Sequence, residues 1–200
     1  MAARQTLDPL RDAAKRLNEA EIERNRLIRA LRSKRETLTD LAVAADVSLG
    51  TAHKLTRPST IVSVGYEGRS VDELVDALVD AGVSVLVDVR ENAISRKRGL
   101  SKRALAEKLQ ARGITYVHEP TLGNPRDNRD GFREQRPDSV AAFEAHLDRN
   151  GSEALDRVDA MLRDRTVGLL CFEADPCSCH RSIVARYLLD RDPLASVRPA

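Results

Sequence analysis

From residue 61 onward the sequence alternates short apolar runs with amphipathic segments, and that rhythm restricts the fold more than any other feature. Residues 83–89, VSVLVDV, are apolar almost without a break. Such a run suits a strand covered on both faces, as in a parallel sheet. IVSVGY at 61–66, ITYVHE at 114–119 and TVGLLCFEA at 166–174 read as three more strands. Between them, Ser70 opens the helix VDELVDALVDA, which ends at Gly82, and Ser101 opens KRALAEKLQAR, which stops at Gly113. Residues 138–165 read as helical with a break at Asn150-Gly151, and HRSIVARYLLDR as a last helix. Strands alternating with helices predict an α/β fold, a mainly parallel sheet with helices on both faces in a Rossmann-like three-layer arrangement.

The first 58 residues follow a different pattern. Residues 8–35 are rich in Ala, Leu, Arg and Glu, and Leu10, Ala14, Leu17, Ala20, Leu27 and Leu31 recur at roughly helical spacing. They read as one long helix, or two with a bend, with Pro9 in the first turn. In LTDLAVAADVSLGTAHKLTR, residues 38–57, Asp46 stands where a turn needs a left-handed backbone and Ser48 where a helix needs a cap. Leu41, Ala42, Ala45, Thr51, Ala52 and Leu55 are expected inward, leaving Leu49, Gly50, His53, Lys54 and Arg57 outward. The pattern resembles a bacterial helix-turn-helix, whose second helix would meet the major groove of duplex DNA. Arg24, Arg26, Arg29, Arg32, Lys34 and Arg35 are consistent with phosphate contact. A packing or dimerisation unit that reads no DNA is the plainer alternative. Arg57-Pro58 reads as a boundary, because proline disfavours helix in the residue before it. The expected division is therefore a helical module over 1–58 and an α/β domain over 59–200.

Composition narrows the class further. Aromatic residues are 3% of the chain and tryptophan is absent, so the core must be aliphatic. The net charge of +2 says little about partners, which leaves that question to local patches. Cys171, Cys177 and Cys179 are odd in number and clustered, a poor disulfide framework. MAARQTLDPLRDAAKRL is charged from the start, unlike a signal peptide, and no apolar run spans a membrane. A cytoplasmic protein with no membrane partner is expected.

Ligands of open parallel sheets bind beyond the carboxyl ends of the strands. Those ends carry Tyr66 and Glu67, Asp88 and Arg90, Tyr116 and His118, and Phe172 and Glu173, with His180 and Arg181 just after. Either these groups converge on one pocket, or Asp88–Arg90 and Glu173–Arg181 are ion pairs that fasten loops.

Several motifs along residues 61–190 stand in a recognisable order: Gly65-Tyr66-Glu67-Gly68-Arg69-Ser70, Asp88-Val89-Arg90, Ser95-Arg96, Ser101-Lys102, His118, Leu122-Gly123 and Cys179-His180-Arg181. The chain resembles the domain of unknown function 488 family. It departs from the pattern at Leu100, where an aromatic is expected, and at Asn92-Ala93-Ile94, where a proline is usual. Most members have no assigned activity, and some are linked to excision of modified uracil bases from DNA. The resemblance thus implies a DNA N-glycosidase acting on a modified pyrimidine such as a 5-substituted uracil. That chemistry needs a carboxylate beside an oxocarbenium-like sugar, for which Glu67, Asp88 and Glu173 are the candidates. Tyr66, Tyr116 or Phe172 would stack on the base, and His118, His180 and Arg181 would bind substrate. Arg90, Arg96, Lys97, Arg98 and Lys102 would hold phosphates.

Other readings compete. Cys177, Cys179 and His180, with Cys171, suggest a metal, but Cys-x-Cys-His is tight spacing for one tetrahedral ion and no second cysteine pair exists. No metal or other cofactor is therefore expected. VLVDVRE also resembles a strand of rhodanese-type sulfurtransferases, and Cys179 at a helix start would be acidic. No arginine lies six residues after any cysteine, however, so the Cys-x5-Arg cradle is missing. Finally, the helix-turn-helix could bind an operator while the α/β domain senses a small ligand.

Overall fold

The computed structural model describes residues 7–200. The charged opening of the chain, up to residue 6, lies outside the described residues. The chain divides into two compact units. One runs up to Arg57 and takes in Asp192–Leu194; the other comprises Pro58–Arg191 and Ala195–Ala200.

The N-terminal unit holds α1 (Asp8–Ser33), α2 (Leu38–Ala44) and α3 (Leu49–Leu55). α1 is a single helix with Pro9 in its first turn, where the missing amide costs nothing. Thr37 caps α2 and Ser48 caps α3, each accepting from the amide three residues on. Asp46 has φ 52°, and the amides of Asp46 and Val47 return to Val43 O and Ala42 O. This is a Schellman ending with aspartate in the usual glycine position. Ala52 is fully buried, whereas Thr51 is exposed and its hydroxyl pairs with Ser48. Thr51 therefore serves the cap and not the core.

Arg29 also departs from expectation. It is buried in a bidentate pair with Asp192, Nε to Oδ1 at 2.6 Å and Nη2 to Oδ2 at 2.7 Å, and donates to the carbonyls of Leu55 and Arg57. It closes the carbonyl end of α3 from within and cannot meet a phosphate.

The second unit is an all-parallel five-stranded sheet in the order β3-β2-β4-β1-β5. Its strands are β1 (Ser59–Gly65), β2 (Val85–Asp88), β3 (Thr115–His118), β4 (Val167–Cys171) and β5 (Ala195–Pro199). Side chains alternate across it. Val62, Val64, Leu86 and Leu170 pack with α4 (Val71–Asp80) and α5 (Lys102–Gln110) on one face. Ile61, Val85, Val87, Val167 and Leu169 pack on the other with α7 (Pro137–Asn150), α8 (Ser152–Leu162) and α9 (Arg181–Arg191). A short α6 (Arg129–Arg133) lies in the loop before α7. Ser70 and Glu73 form a capping box that starts α4. No helix among the described residues is long and apolar enough to cross a membrane.

This topology creates a crevice. The chain leaves β1 toward the α4 face and leaves its neighbour β4 toward the α9 face. The carboxyl ends of these adjacent central strands thus lie where the connections diverge, the usual position of a ligand site.

Candidate active site

The site is built around the turn after β4, and Gly65 lets that turn approach. A Cβ at position 65 would lie 1.9 Å from Glu173 O, so only glycine fits. The turn is then fastened from several directions. Glu67 N donates to Phe172 O at 2.8 Å, and the Glu67 carboxylate accepts from Ala174 N at 3.1 Å. Arg181, 1% exposed, bonds Ser63 Oγ and the carbonyls of Glu173 and Ala174. Arg181 thus holds the backbone of residue 173 and makes no ion pair with its carboxylate. Glu67, itself exposed, likewise fastens the turn.

Asp88 lies on the α4/α5 side of the sheet edge and is fully buried. Its carboxylate accepts from Arg90 N at 3.1 Å, Arg90 Nε at 2.8 Å, Arg90 Nη2 and Tyr116 OH at 2.6 Å. Arg90 uses its remaining nitrogen on Tyr66 OH (3.0 Å) and Leu100 O (3.1 Å). Burial alone would lower the Arg90 pKa, but the Asp88 carboxylate outweighs it and holds the group charged. Burial and the same carboxylate push the Tyr116 phenol upward. His118 bonds Arg90 O at 2.8 Å and meets Lys102 Nζ at 3.3 Å; Lys97 Nζ donates to the carbonyls of Tyr66 and Arg69. With its lone pairs so engaged, Asp88 is a saturated structural carboxylate.

The other side of the edge is different. Cys171, at the end of β4, has its Sγ 2.9 Å from Glu173 Oε2 and 3.6 Å from His180 Nδ1. Cys179 Sγ is 3.9 Å from the same Nδ1. The opposite nitrogen, Nε2, is 2.9 Å from Val89 O, and the imidazole meets Phe143 edge-on. The buried Cys179 thiol, raised by its burial, donates to Cys171 and lowers the Cys171 pKa to about 6. Burial would lower the His180 pKa, but the neighbouring Cys171 raises it. Glu173, which burial would raise, is lowered by its bond from Cys171. Cys171 donates to Glu173 only while protonated and attracts a charged His180 only as thiolate, so these groups share protons rather than holding fixed charges.

A cavity of about 490 Å³ opens onto this cluster. Of the residues singled out from sequence, Tyr66, Arg90, Arg96, Phe172, Glu173 and His180 line it. Glu67, Asp88, Tyr116, His118 and Arg181 do not, so the three carboxylates do not converge on one pocket. Phe172 stands edge-on to Tyr66 at 5.3 Å. Lys97, Arg98 and Lys102 are exposed outside this cavity; Leu49, His53, Lys54 and Arg57 are exposed in the N-terminal unit.

A further wall comes from the polar loop of residues 120–137, in which the sequence reading gave no role to Asn124, Arg129 or Arg133. Asn124 is buried there, Arg129 bridges Glu91 (2.7 Å) and Asn124 O (3.1 Å), and Arg133 Nε lies 3.4 Å from Glu173 Oε1. A Cβ at Gly123 would lie 2.2 Å from Glu91 N, so the loop docks on the segment after β2 through glycine. The loop's length and arginine density were the available signal.

The model of one family, "Domain of unknown function DUF488", matches residues 70–188. The chain belongs to that family. The DUF488 match runs from the cap of α4 into α9, and so takes in Asp88, Glu173 and the Cys179-His180-Arg181 run, while Tyr66 and Glu67 precede it. The helical N-terminal unit is an extension ahead of it. No curated protein and no solved structure matches the chain.

The folded arrangement also revises the argument against a metal. Cysteine spacing alone offered no complete tetrahedral set. Folding brings Cys171 and Glu173 against Cys179 and His180, with one ligand atom from each within 4.8 Å of the others. The exposed Cys177 is not among them.

Proposed function

We propose that the DUF488 domain is a DNA N-glycosidase that hydrolyses the glycosidic bond of a modified pyrimidine such as a 5-substituted uracil. The observation that carries this reading is the position of Glu173, which alone of the three candidate carboxylates lines the cavity. A carboxylate beside the sugar stabilises oxocarbenium character and orients the attacking water. Phe172 supplies an aromatic surface beside it, and the Asn92 amide in the same cavity offers both a donor and an acceptor to a base edge. Arg96, Arg129 and Arg133 line the same cavity and suit the phosphates on either side of an extruded nucleotide. In the N-terminal unit, exposed Lys54 and Arg57 suit contact with duplex phosphates. Three free thiols fit a cytoplasmic setting.

The test is single-turnover incubation with duplexes carrying a panel of modified pyrimidines, followed by detection of abasic sites. Release of one base class supports the reading. No release from any duplex overturns it in favour of a second, the ligand-sensing regulator. That alternative draws on the Schellman turn and Ser48 cap between α2 and α3, which suit an operator-reading module. It requires a stable dimer, because operators have two-fold symmetry.

A further inference from the structure

We propose that Cys171, Cys179 and His180 bind one zinc ion, leaving a fourth position that faces the cavity beside Glu173. Three observations carry this. The first is spacing. His180 Nδ1 lies 3.6 and 3.9 Å from the two sulfurs. Zinc bonds of about 2.3 Å to sulfur and 2.0–2.1 Å to nitrogen, at tetrahedral angles, separate such ligand atoms by about 3.6 Å. Both sulfur–nitrogen distances lie within about 0.3 Å of that value, and the ligand atoms all lie within 4.8 Å of one another.

The second is the orientation of His180. Its Nε2 points at Val89 O, 2.9 Å away, and can only donate there. That leaves the Nδ1 lone pair directed at the two sulfurs. A ligating histidine is commonly fixed in this way, by a carbonyl on its far nitrogen that sets the tautomer and the ring plane. The edge-on contact with Phe143 holds the ring from the side. Strand β4 fixes Cys171, and the turn leading into α9 places Cys179 and His180 against it.

The third is access. Cys171, Glu173 and His180 line the 490 Å³ cavity while Cys179 is 1% exposed behind them. All three ligands are buried, yet Cys171 and His180 also line the cavity, so a fourth position would open onto it. Three protein ligands with a fourth position open to a polar cavity is the arrangement of a catalytic ion. Glu173, with Oε2 2.9 Å from Cys171 Sγ, stands where a carboxylate can orient a water in that position. Two thiolates and one imidazole are a soft donor set, which favours zinc over magnesium or calcium. The site stands whether or not the substrate is a modified base, so metal content and base release are read separately.

The experiment uses the full chain, purified reduced and without chelator, with metal measured by mass spectrometry. One zinc per chain is expected. The zinc is then removed under reducing conditions and the apoprotein titrated with cobalt(II). Sulfur-to-cobalt charge-transfer absorption and the strong visible bands of tetrahedral cobalt should appear and saturate at one equivalent. C171S and C179S should each lose the bound zinc, and C177S should keep it. The wild-type cobalt spectrum does not depend on any variant folding. A fully reduced apoprotein that gives no charge-transfer band overturns the proposal, as does zinc retained by both C171S and C179S. Protein that binds zinc but releases no base keeps the metal site and removes only the glycosidase reading.

Discussion

Two polar clusters sit on opposite faces of the same sheet edge, and they are built to different rules. Around Asp88 the account is closed: four hydrogen bonds reach one carboxylate, and the arginine that supplies three of them is anchored to Tyr66 and Leu100. Around Cys171 the neighbouring groups are two sulfurs, an imidazole nitrogen and a carboxylate, which satisfy one another only by sharing protons. A buried charge is tolerable when fully paired, and the first cluster has reached that condition. The second has capacity left over, and it opens on the cavity. The contrast teaches that burial and charge do not by themselves mark a reactive group, because a fully paired charge has nothing left to offer.

The contrast can be broken most directly at Glu173. Glu173→Gln keeps shape and removes the ionisable group, so single-turnover base release should fall about 100- to 10,000-fold. Unfolding in urea should shift little. Unchanged release would place the reactive carboxylate elsewhere. Next in size is Arg90→Ala, which strands Asp88 in the interior and should cost about 3–5 kcal/mol of stability by denaturant titration. A loss below about 1 kcal/mol would mean that the closed cluster is not structural. Tyr116→Phe removes one donor from the same carboxylate and should cost about 1.5–3 kcal/mol, with base release by the folded fraction unchanged. The smallest effect belongs to Glu67→Gln. The amide oxygen can still accept from Ala174 N, so stability should stay within about 0.5 kcal/mol, as for ordinary surface changes. A large loss of base release in that variant would return Glu67 to the reacting groups.

Most of the sheet was legible because burial writes itself into sequence. β2 and β4 are buried at every position, and an unbroken apolar run is what such strands must be. β5 was not legible: ASVRP is mostly exposed at the sheet edge and joins β1 through its backbone, which any sequence can do. In the site, strand-end position drew attention to Glu173 and His180, both of which line the cavity. Position does not say which way a side chain turns, however. Glu67 and Arg181 sit at equally suggestive places and spend their groups on the main chain of residues 173–174. Asp88 and Arg90, two apart, pair on one face of the edge, a spacing the sequence does display. Asn124 and Arg133 were given no role because the loop's length and arginine content do not state where it folds back.

The pair between Arg29 and Asp192 bears on how the chain is made. Its arginine belongs to α1 and its carboxylate to a segment 163 residues later. During synthesis, at about 5–20 residues per second, Arg29 leaves the ribosome long before its partner exists. The N-terminal unit is therefore begun first but closed only once Asp192 has emerged, and until then an arginine meant for the interior must stay in water. The sheet is in the same position, since β5 emerges after every other strand. A chain lacking residues 192–199 would be missing both closures at once, so neither unit locks until that stretch has been made.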